Sequence, residues 1–310
     1  MSGFLTAFNQ VIILFTMVLV GVVVGKCGIV TSVGRKELSN LLTQVTIPCM
    51  IYNSMLVEVQ PEEMMGILRV FFYALLIVGV SYLLGFPVAR WLGGRDIRKT
   101  SVYHFGTTYS NFGFMGWPVC QALFGDKGLF YGSVMGVAYN TVFYLIADIL
   151  FGPIRGGQRK GFDWRSQVSP MNIAVVLGIL SFFSGVRPPS QVQEIVSMLA
   201  AVTTPLAMCV SGITLAGADL RLALKNGRAF VFGVIRLLGI PALVLCVMKL
   251  FGITGLEMQV PVVIAGMPVL ANVTMFAETY DADSYLAAQL VFITTLMSIL
   301  TIPLVASWVL

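Results

Sequence analysis

Residues 110–119 have the sequence SNFGFMGWPV and place two glycines and a proline within six positions of an apolar segment. Backbone that leaves the helix at membrane depth is tolerated only where protein covers it or where it lines a water-filled cavity. A second stretch, GMPVLAN at residues 266–272, repeats the Gly-x-Pro-Val core 150 positions later. The two stretches therefore predict a pair of broken helices that meet at a binding site.

The composition is that of a membrane protein. Of the 310 residues, 57% are hydrophobic and 11% are charged, and the mean hydropathy is +0.90. A soluble domain carries about 25% charged residues. Apolar runs of about 20 residues predict ten spans, which leaves no room for a soluble catalytic domain. The expected fold class is an all-α polytopic membrane protein with ten transmembrane helices.

The predicted spans divide the chain into two halves of five. They cover residues 6–25, 38–57, 67–92, 100–124, 129–152, 171–186, 192–216, 229–251, 256–280 and 284–309. We expect a first five-helix repeat at 1–152, a polar linker at 153–169 and a second repeat at 170–310. The first span is expected to be retained, because no basic segment precedes its apolar run.

Short sequence matches support the repeat. VTIP at 45–48 matches VTTP at 202–205, GWPV at 116–119 matches GMPV at 266–269, and GPI at 152–154 corresponds to IPL at 302–304. The matches fall in order, at offsets of 157, 150 and 150. Because five is an odd number, the second repeat must enter the membrane from the opposite face. Inverted repeats of this kind are typical of secondary transporters.

The distribution of positive charge predicts the orientation. The loops after the first, third, fifth and seventh predicted spans hold 14 of the 19 Lys and Arg residues. The positive-inside rule places these loops in the cytoplasm. Both termini are then expected on the non-cytoplasmic side of the cell (inner) membrane.

The two broken helices predict an anion site. Proline suits the first turn of a helix, so Pro118 and Pro268 are each expected to begin a half-helix. In an inverted repeat the two new N-termini face each other, and each offers unpaired N–H groups and about half a positive charge. Asn111 and Asn272 can donate and accept hydrogen bonds without the cost of a buried charge. The alternative is a pair of proline kinks filled by neighbouring helices.

These stretches resemble one known family. Residues 111–118 (NFGFMGWP), 267–280 (MPVLANVTMFAETY), 295–304 (TLMSILTIPL) and 45–50 are similar to the auxin efflux carrier family, in the bile-acid/sodium symporter superfamily. The resemblance covers the whole chain. This chain lacks the long central hydrophilic loop of some plant members, which fits a prokaryotic form.

The resemblance implies a mechanism. It implies ten spans in two inverted repeats, a scaffold of spans 1, 2, 6 and 7 at a homodimer interface, and a six-span domain that moves as an elevator. It also implies small organic anions as substrates, such as malonate, malate or auxin. A crossover role carries over to Pro118 and Pro268, and a substrate-lining role to Asn111 and Asn272. Phe112, Gly113, Gly116 and Gly266 complete the two stretches and are further candidates for binding the substrate.

Other polar residues within the spans are further candidates. Asn140 and Tyr144 are four residues apart, so they share a helix face and could line the site or bond to neighbouring spans. Ionisable residues inside spans are functional hypotheses. Those here are Arg236, His104, Asp148 and Glu278. Arg236 could neutralise a carboxylate, pair with Asp148 or Glu278, or snorkel to the interface, and His104 could carry protons or be structural. Asp148 could cap or pair with a basic loop residue or relay a proton, and Glu278 is expected at the interface.

The sequence favours a carrier over an enzyme. No P-loop, HExxH or Gly-x-Ser-x-Gly motif occurs, which argues against ATP-driven transport, proteolysis and esterase chemistry. Five scattered cysteines without CxxC spacing predict neither a disulfide framework nor a metal site, and no cofactor is expected. The alternative to a carrier is a channel-like or sensor membrane protein on the same fold. No acidic residue adjoins either motif core, which favours coupling to protons, or uniport, over sodium.

Overall fold

The computed structural model describes residues 2–56, 61–155, 169–217 and 225–310, and these residues form α-helices without a β-strand. The predicted linker at 153–169 therefore lies mostly outside the described residues. The helices are α1 (Ser2–Lys26), α2 (Ser32–Leu41), α3 (Ile47–Ser54), α4 (Pro61–Gly93), α5 (Ile97–Thr108), α6 (Trp117–Phe151), α7 (Pro170–Ser184), α8 (Ser190–Ala216), α9 (Gly227–Val234), α10 (Ile240–Leu250), α11 (Leu256–Ala265), α12 (Asn272–Thr279) and α13 (Ser284–Ser307).

The structure has the helices of a polytopic membrane protein. Four helical stretches among the described residues are long and apolar enough to cross a bilayer: Leu68–Gly93, Ser190–Ala216, Gly227–Leu250 and Ser284–Ser307. A pair of helices bent by 43°, Phe112–Phe143 with Leu145–Ile154, brings the number to five. The all-α class is confirmed, whereas the ten-span count and the inverted repeat stay predictions.

Three prolines are accommodated by π-helical turns. The turns Leu42–Thr46, Phe112–Gly116 and Ile235–Gly239 each end two residues before a proline. In each, the residue that precedes the proline donates its N–H to the carbonyl five residues back. A proline ring would clash with the carbonyl four residues back in an α-helix, and a π-turn moves that carbonyl. The helix therefore continues through the proline.

Helical geometry breaks between α5 and α6, between α11 and α12, and within α6. Residues Tyr109, Ser110 and Asn111 separate α5 from the π-turn that leads into α6, and residues 266–271 separate α11 from α12. Within α6, Gly125 has φ 67° and ψ −161°, a conformation that glycine adopts without steric cost. This break lies between the predicted spans 100–124 and 129–152.

α1 and α8 cross with their backbones in contact. A Cβ atom on Gly21 would lie 2.1 Å from the carbonyl oxygen of Cys209, and one on Gly212 would lie 2.0 Å from that of Val18. Small residues let helices approach closely in a membrane, where apolar surfaces gain little by meeting. The glycines therefore fix this crossing.

The helices pack in two groups. In the first, α8 packs on α1, α2 and α3, and α3 packs on α7. In the second, α4 packs on α5 and α6, α11 on α6 and α10, and α13 on α9 and α12. Phe276 on α12 joins the second group by ring contacts with Phe105 and Phe143, with centroids 5.4 Å apart in both. α1 also packs on α13, across the two groups, and the division into a scaffold and a transport domain stays a prediction.

Candidate functional site

The two broken segments meet through their backbones. The N–H of Asn111 donates to the carbonyl of Pro268 at 2.8 Å, and Ser110 and Val269 form an isolated antiparallel β-bridge. The N–H of Val269 donates to Thr294 Oγ1 on α13 at 3.1 Å. Extended backbone at membrane depth must find hydrogen-bond partners within the protein. The second broken segment supplies one to the first, and α13 supplies one to the second.

The two prolines occupy different positions relative to the helices that follow them. Pro118 lies in the first turn of α6, and the π-turn Phe112–Gly116 precedes that turn. Pro268 lies in the extended crossing, and its half-helix begins four residues later at Asn272. The prediction that a half-helix begins at the proline therefore holds for Pro118 and is wrong for Pro268. Pro268 stands at the crossing, whereas Pro118 does not.

Polar atoms at the first break lack partners. Tyr109 OH, Ser110 Oγ and Asn111 Oδ1 are buried and have no hydrogen-bond partner in the part of the chain that the structure describes. Buried polar side-chain atoms are nearly always bonded. These three unpartnered atoms lie on consecutive residues of the first break.

A cavity of about 440 Å³ lies beside the crossing. The second helix group contributes both predicted asparagines, Asn111 and Asn272, together with residues of the first turns that follow the two breaks. The first group contributes one face of α2 and part of α8. The lining is Arg35, Lys36, Ser39, Asn40, Thr43, Asn111, Phe114, Met115, Val210, Ser211, Thr214, Leu215, Ala271, Asn272, Thr274, Met275, Val291 and Thr295. The cavity therefore spans the boundary between the two groups.

The cavity contains polar residues that sequence reasoning missed. Arg35, Lys36, Ser39, Asn40 and Thr43 recur at helical spacing and share one face of α2 and its π-turn. In the predicted topology the two basic residues lie in a cytoplasmic loop and bear only on the orientation. The signal that could have found them is the run of polar residues at that spacing before an apolar span.

Other predicted substrate residues lie outside this lining. Phe112 is buried in contact with Trp117 and Tyr139, and the N–H of Gly116 donates to the carbonyl of Asn111 at 2.9 Å. Asn140 is half-buried on α6, and the side chain of Tyr144 lies outside the described part. The remaining predicted residues outside the lining are Gly113, Pro118, Gly266 and Pro268.

Arg236 is buried behind the crossing. It stands in the third π-turn and is 2% exposed. Its Nε donates to the carbonyl of Gly106 at 3.0 Å, and its Nη1 donates to the carbonyl of Ala265 at 2.6 Å. Snorkelling is therefore wrong for this residue. Asp148 and Glu278 are not its partners either, because the guanidinium is held by backbone carbonyls.

The other ionisable candidates either contact a neighbouring residue or are exposed. Tyr280 OH donates to Asp148 Oδ1, and Glu278 is exposed at the end of α12. His104 is buried, with Nε2 2.7 Å from the carbonyl oxygen of Tyr82 and its ring 4.6 Å from the Tyr82 ring. These contacts are those of a packed side chain between α4 and α5. Among the described residues, no group of three or more His, Cys, Asp and Glu side chains could hold a metal ion.

The chain is similar to known transport proteins. A family model described as "Membrane transport protein" matches residues 6–160 and 158–306. An uncharacterized transporter of Methanocaldococcus jannaschii is 28% identical, with 96% of each chain covered. A second uncharacterized transporter, of Methanothermobacter thermautotrophicus, is 25% identical over 97% of this chain and 98% of its own length.

A third relative carries a substrate in its name. A protein of Rhizobium meliloti named "Putative malonate transporter" is 24% identical over 73% of each chain. The family match extends over both halves of the chain, including the two broken segments that cross. The protein therefore belongs to the membrane transport protein family, that of the auxin efflux carriers.

Proposed function

We propose that this protein is a secondary active carrier of small organic anions, namely mono- or dicarboxylates of the malonate, malate or auxin kind. The observation that carries the proposal is the cavity into which Asn111 and Asn272 converge from two crossing breaks, with Arg35 and Lys36 on its other wall. The name of the Rhizobium meliloti relative supports a carboxylate substrate.

The charges of the lining favour an anion. Arg35 is half-buried and Lys36 is exposed, and no Asp or Glu is among the lining residues. Phe114 and Met115 follow the first break, and Thr274 and Met275 follow the second. Each helix start places about half a positive charge near the cavity. A carboxylate would meet three amide side chains, two basic side chains and two helix N-termini.

Transport requires that the cavity open to each side in turn. The substrate would contact α2 and α8 of the first helix group and the crossing of the second. We infer that the second group slides against the first as an elevator and carries Asn111 and Asn272 with the substrate. Because Arg35 and Lys36 belong to a predicted cytoplasmic segment, the structure would correspond to an inward-open form. The chain would act as a homodimer, with protons rather than sodium as any coupling ion.

A counterflow assay tests the proposal. Purified protein in liposomes loaded with unlabelled malonate should accumulate labelled malonate transiently, with saturation, and malate or a monocarboxylate should compete. The neutral dimethyl ester of malonate should not compete, because it has no carboxylate. Flux that does not saturate at low millimolar substrate would instead indicate a channel, and competition by the ester would contradict an anion site.

A further inference from the structure

Arg236 joins the carboxyl ends of the two helices that precede the breaks. Ala265 is the last residue of α11, and Gly106 lies two residues before the end of α5. Their carbonyls accept from Nη1 and Nε of the same guanidinium. The last four carbonyls of a helix have no intrahelical partner, and here those ends point into the protein at the crossing.

The charges at this point balance. Each helix carboxyl end carries about half a negative charge, so the two ends together have about the charge that one guanidinium neutralises. The described ion pairs, Arg69 with Glu257 and Lys99 with Asp96, do not include Arg236. The two helix ends therefore act as the counter-charge of a cation that is 2% exposed.

The π-turn places Arg236 at this position. One extra residue in the turn Ile235–Gly239 changes the phase of the helix, and π-turns are frequent at functional sites for this reason. Pro241 follows the turn and Leu237 is fully buried. A long helical side chain normally reaches outward from a span, whereas this one is held between α5 and α11.

We propose that Arg236 is a tethered cation that occupies the position where broken-helix carriers bind a coupling cation. In such carriers, unwound carbonyls and half-helix carboxyl ends coordinate the ion. Here the guanidinium donates to carbonyls of this kind, so no metal cation is needed to neutralise the two helix ends at the crossing. Transport by the protein therefore needs no sodium. The transport test of this inference rests on the proposed carrier function. The effect of guanidinium on the Tm does not depend on that function.

The test replaces the tethered cation by a free one. Arg236→Ala should lower malonate counterflow by at least about tenfold, because it leaves buried helix ends without their counter-charge. Guanidinium chloride in the millimolar range should restore part of the flux and raise the Tm of Arg236→Ala. It should do neither for the wild type or for Arg228→Ala. Arg228 is a matched control, since it is an exposed arginine on α9 that donates to the carbonyl of Leu92 at 3.2 Å.

Three results would overturn the inference. They are wild-type flux in Arg236→Ala without an added cation, no response of that variant to guanidinium, and a sodium requirement in the wild type when choline replaces sodium. The sodium measurement needs no variant. Arg236→Lys keeps the charge and should therefore have a higher Tm than Arg236→Ala. If the wild type moves no anion, the proposed function fails, whereas guanidinium stabilisation of Arg236→Ala still decides the role of Arg236.

Discussion

Thr203 donates its hydroxyl hydrogen to the backbone carbonyl of Thr46 at 2.9 Å, across 157 positions of sequence. These two threonines occupy the same place in the matching segments VTIP and VTTP. If the predicted repeat is correct, its equivalent positions touch only near the axis that relates the two halves. The same offset of 157 relates Asn111 to Pro268, which also bond to each other, and relates the ends of α5 and α11 at Thr108 and Ala265.

The asparagines at the crossing are the first residues to test. Asn111→Ala and Asn272→Ala should each reduce malonate counterflow about tenfold to a hundredfold, since a hydrogen bond to a charged group contributes about 1.5–3 kcal/mol. Asn53→Ala, on α3 and outside the cavity lining, is the control. Flux like that of the wild type in both cavity variants would remove the asparagines from the site.

Both breaks could be located from the sequence, but their internal geometry could not. Gly-x-Pro-Val marks both segments, yet its first copy is helical and its second is extended. The difference arises because a π-turn before Pro118 absorbs the ring, and no composition rule predicts such a turn. The offset of 150 between the two motifs therefore differs from the offset of 157 between Asn111 and Pro268, which bond to each other.

The sequence also could not supply partners that are backbone atoms. Arg236 was visible as a charge inside a span, but Gly106 and Ala265 bind it through carbonyls that every residue carries. Sequence reasoning looks for an acidic partner and so considers Asp148 and Glu278. The α1–α8 crossing is similar, because Gly21 and Gly212 are recognisable only once the two helices are known to meet.

The basic face of α2 should attract the substrate. Arg35→Gln combined with Lys36→Gln should raise the KM for malonate several-fold with a smaller change in maximal rate, because solvent-accessible charges mainly raise the local anion concentration. The wild-type KM should rise with ionic strength, and that of the double variant should rise less. Lys249→Gln, an exposed lysine outside the cavity lining, should leave both constants unchanged. Equal salt dependence in wild type and double variant would contradict this role.

The contact between α1 and α8 should not tolerate a larger side chain. Gly212→Ala places a methyl group 2.0 Å from the carbonyl oxygen of Val18, where rigid backbone must move. Overpacking of this kind costs about 1–3 kcal/mol, and thermal unfolding in detergent should show a lowered Tm. Gly79→Ala is the matched control, because a Cβ there meets nothing within 4 Å. It should raise stability by about 0.5–1 kcal/mol, the preference of a helix for alanine. A lower Tm in both variants would mean that the detergent, not the crossing, limits stability.

Thr294 supports the crossing through a single hydroxyl. Its Oγ1 accepts from the N–H of Val269 at 3.1 Å and donates to the carbonyl of Leu290 at 2.7 Å, on a side chain that is fully buried. Thr294→Val keeps the shape but leaves the N–H of Val269 without its acceptor, which costs about 1–3 kcal/mol. Both Tm and malonate counterflow should fall, because the extended segment beside Pro268 loses an anchor. Thr301→Val is the control on the same helix, since Thr301 Oγ1 is buried without a partner in the described residues. Removing that hydroxyl should leave the Tm unchanged or raise it, so an equal loss in the two variants would show that the hydroxyl of Thr294 does not hold the crossing.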